Sequence, residues 1–150
     1  MIKHAGASSP AQPFIAPTRE TTNGSINTLY NLIKLTHAMF YSVNQITGNI
    51  ETMFTSMNKI QEISLIHCKW VNNNDHWGIT STNLAGNISV LANKYNLLAL
   101  GIMNYVNING ELKSLKNLKK FFYCYLLRTG CTGSKADLWN NGANITTFNI

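Results

Sequence analysis

Apolar residues recur at steps of three and four positions through the first half of the chain. From Leu32 to Ile63 this spacing persists, and none of the steps fits the strict alternation of a strand. Such spacing is typical of one face of an amphipathic α-helix. The sequence therefore predicts a first helix over 25–67, weakened at Gly48, because an interior glycine costs about 1 kcal/mol relative to alanine. The stripe predicted to face a partner helix is Met39, Val43, Ile46, Ile50, Met53 and Met57.

Two shorter segments with the same spacing follow a long polar stretch. Residues 69–87 have no helical period, so they are predicted to form a loop or an insertion between helices. The apolar positions from Leu84 to Tyr105 predict a second helix. The turn residues Asn109 and Gly110 then separate it from a third helix over 111–128. We find no internal repeat in this pattern.

The pattern as a whole predicts an all-α protein. About three main helices would form a small bundle or an elongated helical hairpin. Prolines interrupt the first 24 residues, so 1–24 is predicted to be a flexible arm. The helical domain is predicted over 25–128, and 129–150 is predicted to be a polar tail.

Composition adds a bias toward positive charge and amide side chains. The 150 residues include 12 Lys+Arg against 6 Asp+Glu, a formal net charge of +6, and 21 asparagines. The length suits one domain with a modest core. Three cysteines, an odd number, argue against a disulfide-stapled secreted domain, and the first residues lack the apolar stretch of a signal peptide. We therefore expect synthesis in the cytosol.

Most of the positive charge lies in the predicted third helix and just after it. Within 111–135, six cations are accompanied by one carboxylate, Glu111, and an aromatic run lies beside the lysines. A basic helix with an aromatic face is typical of a membrane-surface helix. RNA binding would use the same charges with rings stacked on bases, and a solvated face of a bundle helix is the plainer alternative. The predicted contact surface is Lys113, Lys116, Lys119, Lys120, Phe121, Phe122, Tyr123 and Arg128.

No arrangement of residues indicates catalysis or a cofactor. The chain has no Gly-x-Ser-x-Gly elbow and no phosphate-binding loop of the Walker type. His67, Cys68 and His76 are the nearest approach to metal ligands, but their spacing matches no closed zinc pattern. A fourth ligand would have to come from Cys124 or Cys131. We therefore expect a protein that is not an enzyme and that uses neither metal nor cofactor.

Four short strings occur in an order shared with a known family. They are a His-Ala-aromatic stretch, an acidic-x-x-aromatic tetrad, a Val-Leu-Ala-Asn segment and a basic aromatic segment before Asp-Leu-Trp, at 33–43, 51–54, 89–95 and 118–139. Together they resemble the helical membrane-proximal region of peroxin-13, a peroxisomal import protein. The resemblance implies a role in docking or translocating import receptors, with peroxin-14 or peroxin-5 as partners.

The leading hypothesis is a non-catalytic helical component of peroxisomal protein import that acts at the membrane surface. Its expected location is the peroxisomal membrane, with a cytoplasmic location as the alternative. The alternative function is a helical structural subunit of a larger soluble or ribonucleoprotein assembly that binds through the Lys-rich helix 111–128. The expected partners are other proteins, an anionic membrane surface and, less favoured, nucleic acid; an oligomer is left open.

Overall fold

Short parallel strands, not helices, form the framework of the chain. The computed structural model describes residues 13–15, 23–42, 45–67, 69–71, 74–76, 79–139 and 144–150. The strands within them are β1 (Pro13–Ile15), β2 (Asn23–Ser25), β3 (His37–Ser42), β4 (Gln45–Asn49), β5 (Glu62–His67), β6 (Lys69–Val71), β7 (Asn74–His76), β8 (Ser81–Asn87), β9 (Ala99–Met103), β10 (Tyr105–Glu111), β11 (Tyr123–Leu127), β12 (Gly130–Thr132) and β13 (Thr147–Asn149). The all-α prediction is therefore wrong.

The helical segments are brief. They are one α-helix, α1 (Ile50–Phe54), and 3-10 helices at Ile26–Leu29, Ile88–Leu91, Leu112–Leu115 and Lys135–Asp137. The long helices predicted over 25–67 and 111–128 do not form, because each of these segments turns repeatedly from short helix to strand. Within the described ranges, no helix combines the length and the apolar character that a membrane crossing requires.

A repeat of 24 residues generates the coils of the fold. Gly24, Gly48, Gly86 and Gly110 share a positive φ, between 117° and 132°, and each lies two residues before a short helix. The interval is 24 residues from Gly24 to Gly48 and again from Gly86 to Gly110. From Gly48 to Gly86 it is 38, so this coil has 14 additional residues, which include the antiparallel pair β6 and β7. The expectation of no internal repeat is therefore wrong.

Two parallel sheets enclose the core. The six-stranded sheet has the order β1-β3-β5-β9-β11-β13, and the five-stranded sheet has the order β12-β10-β8-β4-β2. From β3 to β12, each coil supplies one strand to the six-stranded sheet and then one to the five-stranded sheet. Equivalent residues of successive coils therefore lie side by side, as Glu62 pairs with Ala99 and Ala99 pairs with Tyr123.

Each coil buries apolar residues at intervals of three along its helix and turn. The first coil buries Ile26, Leu29, Leu32, Leu35, Ala38 and Phe40. The first five of these are three residues apart and the last follows after two, because the chain turns one side chain inward at each corner and then alternates in the strand. Such a series resembles the three-and-four steps of a helix face, and this resemblance is the reason that the helical assignment failed.

The stripe predicted to face a partner helix has a different location. Ile46, Ile50, Met53 and Met57 lie in the core between the two sheets, with at most 1% of their surface exposed. Met39 is half-buried on the outward face of β3. Val43 lies outside the described residues. Four of the six residues therefore pack within the coils.

Asparagines close the corners where a strand of the five-stranded sheet enters a short helix. Asn49 Oδ1 accepts the N–H of Glu51 at 2.7 Å, and Asn87 Oδ1 accepts the N–H of Ser89 at 2.8 Å. Asn27 Oδ1 accepts the N–H of Asn49 at 2.8 Å, which joins the first coil to the second. These are N-cap bonds and a bond between coils, so part of the high asparagine content serves the repeat.

The predicted division into an arm, a domain and a tail falls partly outside the described residues. In the described part of 1–24, β1 pairs in parallel with β3, and in the described part of 129–150, β13 pairs in parallel with β11. The bounds of the three segments remain a prediction.

Lys94 occupies a core position of the third coil. Its place in the repeat is that of Leu118 in the fourth coil, and the whole residue is buried. Lys94 Nζ donates to the carbonyl oxygen of Thr55 at 2.8 Å and to Asn58 Oδ1 at 3.0 Å, both in the preceding coil. Desolvation lowers the pKa of this ammonium group from its usual value of 10.5. A cation therefore joins the second coil to the third inside the core.

We expect the stability of the protein, relative to a Lys94→Met variant, to rise as the pH increases toward 10.5. Between the lowered folded-state pKa and the unfolded-state value of 10.5, the unfolded chain binds a proton that the folded chain has released, so folding becomes more favourable with pH. Urea unfolding of both proteins at a series of alkaline pH values measures the difference. A constant difference across the series would show that the Lys94 pKa is not lowered.

Candidate functional site

The six-stranded sheet presents three rows of side chains on the face away from the core. Alternation along each strand buries one residue and leaves the next half-exposed, as in β5, β9 and β11. The register aligns these outward residues across the coils. The first row is His37, Glu62, Ala99, Tyr123 and Thr147, the second is Met39, Ser64, Gly101, Tyr125 and Asn149, and the third is Tyr41, Ile66, Met103 and Leu127.

Small residues at the centre of these rows leave a depression of about 440 Å³. Ser64, Ala99 and Gly101 form its floor, because none of them has a side chain that rises far above the sheet. Larger side chains stand around the floor: Met39, Ile66, Met103, Phe122, Tyr123 and Tyr125. We call this depression, with its floor and rim, the sheet-face groove.

One side of the groove is a pair of stacked aromatic rings. The ring centroids of Tyr123 and Tyr125 are 6.5 Å apart and the ring planes differ by 22°. A Cβ atom added at Gly101 would lie 3.8 Å from the Tyr123 ring and 3.9 Å from Ser64 Oγ, which are ordinary contacts. The space above Gly101 is therefore open because the residue lacks a side chain, and the backbone there does not require glycine.

Charge in the three rows is confined to one pair. His37 Nε2 and Glu62 Oε1 are 3.8 Å apart at the edge where β3 and β5 begin, and Glu62 also lines the groove. The other described members of the rows are apolar, aromatic, hydroxylic or amide side chains. The groove is thus mainly apolar, with hydroxyl groups on its floor and rim.

The opposite edge of the sheet is held by a buried asparagine. Asn104 has a φ of 67° and no exposed surface. Its Nδ2 donates to the carbonyl oxygen of His67 at 2.8 Å, and its Oδ1 accepts from Arg128 Nη1 at 3.2 Å. This residue therefore ties together the ends of β5, β9 and β11, next to the point where the 14 additional residues leave the second coil.

The basic surface predicted for a third helix is divided among several elements. Lys113 lies in a 3-10 helix, where Glu111 raises its pKa, and Lys116, Lys119 and Lys120 lie in the turn that follows. Phe121 is buried in the core, whereas Phe122 is 41% exposed and lines the groove. Tyr123 also lines the groove, and Arg128 contacts Asn104. These residues do not share one helical face, because no helix longer than four residues forms here.

The candidate metal ligands are not brought together. Among the described residues, no group of three His, Cys, Asp or Glu side chains is placed to hold a metal ion. Cys124 and Cys131 are free and buried. Desolvation, with a smaller contribution from Cys131, raises the pKa of Cys124 to about 12, and desolvation also raises the pKa of Cys131. Cys68 lies outside the described residues. The two buried thiols are therefore protonated at neutral pH and serve as core residues.

The sequence reasoning missed most of the groove. Ser64, Gly101, Met103 and Tyr125 received no role, although they share a repeat position with residues in neighbouring coils. A comparison of the chain with itself at a shift of 24 residues would align them, since Gly101 and Tyr125 are 24 positions apart. The missing signal was therefore the repeat.

The fold is a leucine-rich-repeat solenoid. Each coil has the regular series of buried aliphatic residues that ends in a strand of one parallel sheet, which is the pattern of this class. The chain is similar in structure to an internalin C2 from Listeria monocytogenes, with a TM-score of 0.50, 20% sequence identity, and coverage of 81% of this chain and 46% of that structure. A second internalin of the same organism gives a TM-score of 0.37, 15% identity and coverage of 83% and 44%.

These comparisons replace the assignment made from short strings. Neither a protein-family profile nor a curated protein matches the sequence. The resemblance to the helical region of peroxin-13 is wrong, because the segments that carry it form strands and short turns of a solenoid. The helical role in peroxisomal import, with peroxin-14 or peroxin-5 as partners, loses its basis with that resemblance. The alternative of a helical subunit that binds through 111–128 fails for the same reason.

Proposed function

We propose that the chain is a non-enzymatic recognition module that binds an extended segment of a partner protein in the sheet-face groove. The observation that carries this proposal is the groove itself, where small residues on three adjacent strands are ringed by methionine and tyrosine side chains. Repeat solenoids use such stacked faces as extended binding surfaces. The similarity to internalin C2 supports the fold that presents this face.

A polypeptide segment suits the chemistry of the groove. The rim offers aromatic rings and flexible methionines, which bind apolar side chains and adapt to their shape. The hydroxyl groups of Ser64, Tyr123 and Tyr125 offer hydrogen bonds to the backbone of a bound segment. A single aromatic side chain of the partner, fully buried over Gly101, would contribute about 2 kcal/mol. The groove has one carboxylate, Glu62, so a strongly acidic segment is disfavoured there.

Gly101→Trp is expected to weaken binding by at least about tenfold, because the indole would occupy the space above the floor. The probe is a set of peptides selected from a random displayed library against the unmodified protein, and fluorescence anisotropy measures their dissociation constants. We expect the selected peptides to be rich in aromatic and large aliphatic residues, because they must fill an apolar groove.

Two control variants separate blockage from misfolding. Gly101→Ala adds a Cβ that makes only ordinary contacts, so it should leave the affinity within about twofold. Thr82→Trp places the same indole on an exposed position of the five-stranded sheet and should also bind normally. Circular dichroism confirms that all three variants are folded. Peptides that bind Gly101→Trp as well as the unmodified protein would contradict the proposal.

A further inference from the structure

A row of stacked turns lies along the edge at which the strands of the six-stranded sheet begin. In each coil an N–H donates to the carbonyl oxygen three residues earlier: Leu35 to Leu32, Ile60 to Met57, Leu97 to Lys94, and Phe121 to Leu118. The two central residues of each turn point into solvent or lie near the surface. These central pairs, which we call the turn row, are Ile33 with Lys34, Asn58 with Lys59, Tyr95 with Asn96, and Lys119 with Lys120.

The turn row carries positive charge without compensation. Its four lysines, Lys34, Lys59, Lys119 and Lys120, are all exposed, and the four turns, each of them described in full, contain no Asp or Glu. Lys120 Nζ donates to Asn96 Oδ1 at 3.3 Å, which links the fourth turn to the third. Strands of a sheet are about 4.8 Å apart, so four turns would span roughly 15 Å. That span matches about five residues of an extended chain.

Apolar side chains are interleaved with these lysines. Ile33 is 56% exposed and Tyr95 is 63% exposed, which is unusual for residues of this size. Tyr95 also lines a shallow cavity of about 540 Å³ together with Asn117, Lys119 and Lys120. The turn row is therefore a mixed surface on which an apolar contact lies beside a cation.

We propose that the turn row binds an acidic segment of a partner protein that also carries apolar side chains. The lysines attract the carboxylates, and Ile33 and Tyr95 bury apolar side chains of the same segment. A polyanion such as nucleic acid is less well matched, because the row has one aromatic residue for stacking and an isoleucine that cannot stack. The inference stands on the turn row alone and does not depend on the sheet-face groove.

The test uses a labelled peptide of about twelve residues that combines glutamates with phenylalanines. We expect Lys59→Glu with Lys119→Glu to weaken its binding by about tenfold, since two attractions become repulsions. The matched control is Lys113→Glu with Lys135→Glu, which changes the net charge equally but lies outside the turn row. That control should bind within about twofold of the unmodified protein. Binding should also weaken as salt is raised, because the charges are exposed.

Three comparisons make the result decisive. A peptide with glutamine in place of glutamate should bind much more weakly, and so should a peptide with serine in place of phenylalanine. If both double variants weaken binding equally, net charge alone drives association and the turn row is not the site. If oligothymidylate or heparin binds at least as tightly as the acidic peptide, the surface recognises a polyanion and the proposal is overturned. Gly101→Trp should bind the acidic peptide normally, which keeps this test separate from that of the groove.

Discussion

Gly86→Ala is expected to lower the free energy of unfolding by about 3 kcal/mol. The backbone at Gly86 has a φ of +124°, which an alanine adopts only under strain. A Cβ there would also lie 2.6 Å from Asn49 Oδ1 and 2.8 Å from Ile50 Cγ1. Both contacts are too short, and Asn49 cannot move away without losing its N-cap bond to Glu51. Urea unfolding followed by circular dichroism measures the change.

Gly101→Ala is the control for this substitution within the same chain. Gly101 lies in a strand with an ordinary φ, and an added Cβ meets its neighbours at 3.8 Å or more. We expect its free energy of unfolding to change by less than about 1 kcal/mol, because alanine fits a strand at least as well as glycine. An equal loss in the two variants would mean that the repeat glycines are not held by their backbone conformation.

Lys94→Ala is expected to destabilise the protein by about 3 kcal/mol or more. The substitution removes a long buried side chain and leaves a cavity between the second and third coils. It also removes the donor that serves the carbonyl oxygen of Thr55 and the side chain of Asn58. Both losses act at one interface between neighbouring coils, so they add to each other. Chemical unfolding of the variant and the unmodified protein under the same buffer gives the difference.

Lys94→Met distinguishes the two contributions. Methionine fills nearly the same volume and is apolar like the residue at the equivalent position of the fourth coil, Leu118. Replacing a buried charge with an apolar side chain of similar size is often neutral or stabilising, so we expect a change within about 1 kcal/mol or a gain. A loss as large as that of Lys94→Ala would show that the two hydrogen bonds, rather than packing, hold the coils together.

The buried residues of the fold were accessible from the sequence, but their arrangement was not. Leu32, Leu35 and Ile63 were predicted to lie on an apolar face, and all three are buried. Periodicity alone did not separate a helix from a coil that turns one side chain inward at each corner. Residues exactly three apart drift by about 60° per step around an α-helix, so a long series of threes does not keep to one face. The five residues from Ile26 to Ala38 form such a series.

The candidate site depends on contacts that a local pattern does not contain. Met39, Ser64, Gly101 and Tyr125 lie in four different coils and meet only because the strands stack in parallel register. Tyr123 was selected from the sequence for a membrane or RNA surface, since it belongs to an aromatic run, and the structure places it on the rim of the groove. The identity of a residue was visible in the sequence, whereas its neighbours required the repeat length.

The additional residues of the second coil have a consequence for the modularity of the fold. They enter between β5 and β8, yet Gly86 resumes the repeat and its helix stacks on the preceding coil as if nothing had been added. The phase of the later coils is therefore independent of the length of this excursion. A chain built in this way can lengthen or replace one rim segment, and thereby change what it touches, without altering the scaffold beneath.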